Sequence, residues 1–463
     1  MKTFINRKET IISLLFLFLA LDACKKQDQF LDAIPNQSLA VPASLADCQS
    51  LLDNENVFNS YCDPALGYLS TDDYFVFSSA WELDVPVGRN AYIFAKDIYA
   101  GTLNYNDWIQ PYLQVYYANT ALSVLDGLQV APAQAGLLAQ TRGIALFYRS
   151  YAFYNLLQTY AMPYDSLSSA TDPGIPLRLS PDINQHETRA TVLECYQQIL
   201  NDLKTALGLL PVSPLRITQP SQWAANALMA RIYLSISQYD NAYHYANACL
   251  SQNNVLTDYN TLIPGSFTIN DSYLAEDIYH SSLNGYYIGG SRAQVDSNLY
   301  RAYDSNDLRK TAFFRVRTSD GTLIFRGTYD VFNGNRYSGL ATDEIYLIRA
   351  EASARQGNIQ AAMNDLNLLL QNRYITGTFI PLTASTQEEA LNLILAERRK
   401  ELVFRGSLRW TDLRRFNKDP ALQVTVTHLI NGITYTLAPN DPRYAMPIPD
   451  QEVQLTGIPQ NPR

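Results

Sequence analysis

Apolar residues recur at three- and four-residue spacing over 44–53, 108–129, 133–160, 191–210, 219–237, 239–252, 342–356, 359–373 and 386–404. That period lines one face of a helix, so these stretches predict helices and a mainly α fold. Between them run long polar, aromatic and Gly/Pro-rich segments, chiefly 54–107, 161–190, 254–341 and 417–463. Irregular segments of that length within a domain usually carry function. Short strands are expected in some of them, such as 312–326.

Two of the predicted helix pairs repeat each other. Ala230-Arg231-Ile232-Tyr233, Gln238-Tyr239-Asp240-Asn241-Ala242, Ala246 and Cys249 superpose, on a shift of 120, on Ala350-Glu351-Ala352, Gln356-Gly357-Asn358-Ile359-Gln360-Ala361-Ala362, Leu366 and Leu369. Small residues where two helices cross, a tight turn, then alanine in the second helix form a tetratricopeptide-like pattern. Segments 144–160 and 191–210 fit a further pair with an insertion between them.

A different pattern opens the chain. Lys2, Arg7 and Lys8 precede Ile11–Leu21, an apolar run with one serine and no charge. It is short of the ~20 residues that span a bilayer and has the length of a signal-peptide core. No later stretch is apolar for long enough to cross a membrane. Leu21-Asp22-Ala23-Cys24 then resembles a bacterial lipobox, in which the cysteine is diacylated and becomes the first residue of the mature chain. The expectation is a signal peptide over 1–23, a lipidated N-terminus and tether over 24–43, and a helical domain over 44–463.

Residues 1–23 carry three basic and two acidic side chains against −9 for the whole chain, which leaves −10 on the remainder. Phosphate backbones repel such a chain, which argues against nucleic acid as a partner. Aromatics make up 12% of the residues, including 32 tyrosines, whose apolar ring and polar tip suit both helix packing and sugar stacking. Cys48 and Cys249 lie on apolar helical faces, and spacing leaves a Cys48–Cys62 bridge open.

Catalytic constellations are scarce. His186, His244, His280 and His428 are too far apart in sequence for a helical zinc site, and there is no CxxC pair, phosphate loop or Gly-x-Ser-x-Gly elbow. Asp72-Asp73 reads as a solvated or helix-capping pair. No cofactor or metal is expected, and no recognisable catalytic pattern is present. Leu391, Leu395, Arg398 and Leu402 share one helical face, and Leu347, Ala350, Glu351 and Ala354 another. A charge on each apolar face predicts a buried Glu351–Arg398 ion pair with an architectural role.

The C-terminal third is the most distinctive. It holds ERRKELVFRGSLRWTDLRRF at 397–416, TLAPNDPRYAMPIP at 436–449 and IYLIRAEASARQG at 345–357. With Cys24, Phe30-Leu31-Asp32 and Pro35 near the start and the order of the helices, these segments resemble the SusD/RagB family of surface lipoproteins of Bacteroidetes-type bacteria. The resemblance implies a tetratricopeptide-like helical scaffold with irregular binding loops. It implies an outer-membrane protein that caps a TonB-dependent (SusC-like) barrel and binds an oligosaccharide or a peptide. A lipid-anchored tetratricopeptide scaffold and a surface glycoside hydrolase are the competing readings. Sugar faces stack on aromatic rings and sugar hydroxyls need planar polar partners, so a site wants Trp or Tyr beside Arg or Asn. Trp81, Arg89, Asn90 and Tyr92 in one loop, and Tyr286 and Tyr287 beside Gly289 and Gly290 in another, are the candidate ligand-binding residues. Trp108 extends the stripe of Tyr112, Val115 and Tyr116 and belongs to the core.

Overall fold

A computed structural model describes residues 42–103, 105–263, 273–286, 288–290, 292–318, 320–330 and 334–463. The expected lipidation site Cys24, the segment over 1–23 and the candidate Tyr287 lie outside the described residues. The chain divides into Met1–Ala43, almost wholly outside the described residues, and Ser44–Arg463.

The helical periods become α1 (Leu45–Leu52), α2 (Asn106–Gly127), α3 (Ala135–Tyr160), α4 (Val192–Leu207), α5 (Gln222–Ser235), α6 (Tyr239–Gln252), α7 (Thr342–Arg355), α8 (Ile359–Gln371) and α9 (Gln387–Glu401). Three of them start with a capping box: Ser44 with Asp47, Thr191 with Glu194, and Thr386 with Glu389. Each box satisfies two backbone N–H groups that the first helical turn leaves unbonded. Shorter helices lie outside those periods, Ser78–Glu82, Pro86–Tyr92 and Asp450–Thr456 among them, and the longest of these is α10 (Leu408–Phe416).

The helices stack in series: α2 on α3, α3 on α4, α4 on α5, α5 on α6, α6 on α7, and α7 on α8 and α9. Helices α5 and α7 are buried almost all round, whereas α6 and α8 bury one face. The repeat is visible in the backbone. Ser237 in the α5–α6 turn has φ +59° and Gly357, 120 residues on, has φ +81°. Both turns need a left-handed residue, and only the second uses the residue type that adopts it without strain.

A four-stranded antiparallel sheet lies among the irregular segments, in the order β1 (Tyr74–Phe75), β2 (Gln294–Val295), β4 (Leu323–Phe325), β3 (Phe314–Val316). A hairpin of β5 (Val426–Ile430) and β6 (Ile433–Leu437) follows α10. Cys48, Cys62, Cys195 and Cys249 are buried free thiols, so the Cys48–Cys62 bridge left open by spacing is absent.

The buried charge is concentrated around the 397–416 motif. Arg398 bonds Asp412 at 2.9 Å, Arg405 bonds Asp343 at 2.8 Å, and Arg409 grips Asp72 at 2.7 and 2.8 Å. Arg415 takes Glu351 at 2.5 and 2.8 Å and Asp412 at 2.8 Å. Arg414 donates to the carbonyls of Tyr444 and Ala161. The expected Glu351–Arg398 pair is therefore corrected. Both residues are buried and ion-paired, but Glu351 bonds Arg415 and Arg355, and Asp412 stands between Arg415 and Arg398. Arg415 and Asp412 come from α10, the helix the periodicity missed. Burial opposes ionisation of Glu351, yet the Arg415 guanidinium outweighs it and holds the carboxyl below its ordinary value.

Asp72 and Asp73 are corrected as well. They are neither solvated nor capping, but accept from Arg399 and Arg409. Burial would raise Asp72, but Arg409 brings it down to about 2, while burial pushes Asp73 up to about 6.

Candidate functional site

The two candidate loops fold differently. Tyr92 is fully buried, its ring stacked 3.9 Å from that of His428 and its hydroxyl accepting from the Val76 N–H. It packs the core and offers nothing to a ligand. Trp81 is half-buried and donates its indole N–H to the Arg89 carbonyl at 3.0 Å, with the Arg89 guanidinium 5.7 Å above its ring. Asn90 spends its amide on the carbonyls of Ile98 and Ala100. The expected loop is in fact largely helical, with Trp81 on Ser78–Glu82 and Arg89, Asn90 and Tyr92 on Pro86–Tyr92, and the Trp81 and Asn90 bonds close this segment on itself. Trp108 is buried edge-on to Tyr160, as its stripe predicts.

The second loop helps to form a cleft of about 250 Å³. Tyr286, Asn284, Gly289 and Gly290 line one side, Arg315, Ile324 and Phe325 of β3 and β4 another, and Tyr61, Tyr68, Asn335 and Arg336 complete it. None of the first loop's four candidates lines it.

Each wall is held from below. Asn284 donates to Asp107 at 2.6 Å, and Asp107 also accepts from the N–H groups of Ala65 and Leu66. Burial pushes the Asp107 carboxyl up to about 6 despite these bonds. Tyr68 donates to the Gly289 carbonyl at 2.7 Å. A Cβ on Gly289 would lie 2.7 Å from the Tyr68 ring, so glycine is what lets the loop approach this closely. Arg336 donates to Tyr68 Oη, Gly289 O and Gly290 O at 3.2, 3.0 and 2.8 Å. Its guanidinium lies 5.0 Å from the rings of both Phe325 and Phe404, which stack on each other.

Tyr61 stands at the mouth. The residue is 51% exposed and its φ is +52°. A left-handed tyrosine costs ~1–2 kcal/mol, and such strain gathers at functional positions. Its N–H donates to Ser282 Oγ at 3.0 Å. The cleft thus presents an exposed ring, two carboxamides and two guanidinium groups around one cavity, which suits hydrogen bonding and ring stacking.

Among the described residues, one group could hold a metal ion: Glu276, Asp343 and Glu401. These carboxylates are already met by Arg373, Arg405 and Arg309, so guanidinium groups supply their counter-charge. Sequence reasoning missed Tyr61, Arg315 and Arg336. Each is a lone residue in an irregular segment, and only folding brings the three together.

Two family models match the chain, one described as "Starch-binding associating with outer membrane" over residues 29–234 and one as the SusD family over 342–463. Together they take in well over half of it. The chain belongs to the SusD/RagB family. Solved SusD-like structures share its fold. A SusD superfamily protein from Bacteroides vulgatus superposes with a TM-score of 0.75 at 19% identity, over 91% of this chain and 99% of that one. A SusD-like carbohydrate binding protein from the same organism gives 0.69 at 20%, over 90% and 97%. Surface glycan-binding protein A from Bacteroides fluxus gives 0.69 at 18%, over 91% and 100%. No curated protein sequence matches significantly. The tetratricopeptide-like stack is thus the SusD scaffold, and the 397–416 segment that carried the resemblance is its ion-paired seam. Among the described residues, no helix is long and apolar enough to cross a membrane.

Proposed function

We propose that this protein is a surface-exposed lipoprotein of the outer membrane that binds a glycan in the Tyr61–Tyr286–Arg336 cleft. It passes the glycan to a TonB-dependent, SusC-like barrel and does no bond chemistry itself. The lipid on Cys24 holds it at the membrane. The observation that carries this reading is the cleft: an exposed tyrosine beside Asn284, Asn335, Arg315 and Arg336, braced by partly buried hydrogen bonds. Family membership and the sugar-binding names of structural neighbours support it. The volume is near the lower end of ligand pockets, ~300 Å³ and upward, which suits one ring or the end of a longer chain.

Calorimetry of the purified full chain in detergent, against glycan and peptide panels, tests the binding step. Glycan binding that Tyr61→Ala weakens supports the proposal. Peptide binding with no glycan binding replaces the ligand. Radiolabelled palmitate tests the anchor: it should enter the wild type and not Cys24→Ala. Co-purification of a barrel with the wild-type chain tests the partnership.

A further inference from the structure

The arginines of this molecule fall into two groups. In the scaffold most meet carboxylates: Arg149 with Asp202, Arg231 with Glu344, Arg373 with Glu276 and Glu401, Arg415 with Glu351, while Arg414 and Arg189 are exceptions that donate to carbonyl and amide oxygens. At the cleft they do not. Arg336 is half-buried, yet its hydrogen bonds go only to a phenol and two carbonyls, all neutral acceptors, and its Nη1 has no acceptor among the described residues. Arg315 is exposed, lines the same cleft and bonds no described residue. In the ladder it stands opposite Ile324, which also lines the cleft. No carboxylate is among the described lining residues.

This local excess of positive charge occurs in a chain of net charge −9. A half-buried cation without a counter-ion is costly, and seven of the eight buried arginines among the described residues reach a carboxylate, Arg414 alone relying on carbonyls, so Arg336 beside the exposed Arg315 offers charge for a ligand to meet. Guanidinium groups recognise planar or tetrahedral oxyanions through paired N–H donors, in a way a neutral sugar hydroxyl cannot exploit. The Tyr61 ring and the Asn284 and Asn335 amides then serve the sugar itself.

We infer that the ligand of this cleft is an acidic glycan, an oligosaccharide whose uronate carboxylate or sulfate ester sits between Arg315 and Arg336. The inference rests on the cleft being a sugar site, as proposed above, and adds the ligand's charge.

The test is calorimetry of the full chain with matched probes. The uronate pair is tetragalacturonate and its methyl ester, which keeps the sugars and removes the charge. The sulfate pair is a chondroitin sulfate tetrasaccharide and its desulfated form. Maltotetraose is the neutral control, and a tetrapeptide with a free C-terminal carboxylate is the peptide control. We expect one charged glycan to bind at least about tenfold more tightly than its neutralised counterpart, with affinity falling as salt is raised. Which pair shows the preference tells carboxylate from sulfate. Arg315→Gln, at an exposed position whose loss leaves no buried group unpaired, should erase that preference while melting as the wild type does. Equal binding of a charged probe and its neutral form, or maltotetraose binding best, would overturn the inference and leave the sugar site standing. Binding of the peptide alone, or of no probe, would overturn both. A preference that survives unchanged in Arg315→Gln, and also in Arg336→Gln refolded to a native melting profile, would remove the charge from this cleft.

Discussion

The seam formed by α7, α9 and α10 and the cleft beside β3 and β4 both hold arginines near aromatic rings, and they use them in opposite ways. In the seam, Arg398, Arg405, Arg409 and Arg415 each reach a carboxylate, three of them buried, and Arg414 reaches two carbonyls. At the cleft, Arg336 reaches only neutral acceptors and Arg315 reaches none that is described. The lesson is that the segment most diagnostic of the family is the one least available to a ligand. A motif can mark a protein's identity because it carries the architecture. The residues that select the ligand sit in loops without a recognisable pattern.

The sharpest way to break this comparison is to remove a carboxylate from the seam. Glu351→Ala leaves Arg415 with Asp412 alone, and breaking a buried pair from one side typically costs about 3–5 kcal/mol. Chemical denaturation should show a loss of that size, with ligand affinity per folded molecule unchanged. A loss of affinity at native stability would place Glu351 in the site. Because Arg415 holds the Glu351 carboxyl below its ordinary value, the pair's contribution is present above the unfolded value of 4.5 and fades as pH falls below it.

His280 supplies a pH test outside both regions. It bonds Asp277 at 2.7 Å with Asp330 3.8 Å away. Burial works against the imidazolium, but the two carboxylates outweigh it and raise its pKa from 6.5 to about 9. A pKa raised on folding means that the charged form stabilises the native state. That contribution, at most ~3 kcal/mol, is present in full below pH 6.5 and is lost as pH rises through about 9. Denaturation midpoints measured from pH 6 to 10 should fall over that window, and the window should flatten in His280→Gln.

Trp81→Ala separates the two candidate loops. The indole is half-buried and bonded within its own loop, so we expect a stability loss of ~1–2 kcal/mol and unchanged ligand affinity. A stable variant that no longer binds would move the site to the first loop. The smallest effect belongs to the scaffold repeat. Ser237 is exposed at φ +59° where its counterpart is Gly357. Ser237→Gly should therefore raise stability by about 0.5–1 kcal/mol, and Gly357→Ala, with open space around its added Cβ, should lower it by a similar amount. Equal melting of Ser237→Gly and wild type would show that the turn stores no strain.

The scaffold was largely legible in the chain because a helix that buries one stripe must repeat apolar residues along it. All nine predicted helices exist, with ends displaced by a few residues. Helix α10 escaped because Leu408-Arg409-Trp410-Thr411-Asp412-Leu413-Arg414-Arg415-Phe416 reads as polar, whereas it is buried through ion pairs. The same blindness mispaired Glu351 with Arg398: buried charge is visible in a sequence, but its partner is not. The cleft was half legible. Tyr286 stood out beside Gly289 and Gly290, since glycines next to aromatics mark close backbone approach. Tyr61, Arg315 and Arg336 come from three separate segments, and nothing in their local pattern joins them. Tyr92 was misplaced because an aromatic ring in an irregular segment reads the same whether it covers the core or faces solvent.

The central claim is that the seam is architecture and the cleft is the binding site. A paired measurement on Tyr61→Ala and Glu351→Ala tests it most directly, following melting temperature and calorimetric affinity for the glycan that the wild type binds. The account predicts that Tyr61→Ala melts within a degree or so of wild type and loses most of its affinity, about tenfold or more for one stacked ring. It predicts that Glu351→Ala melts far earlier and binds normally where folded. Wild-type affinity in Tyr61→Ala, or lost affinity in folded Glu351→Ala, would contradict it.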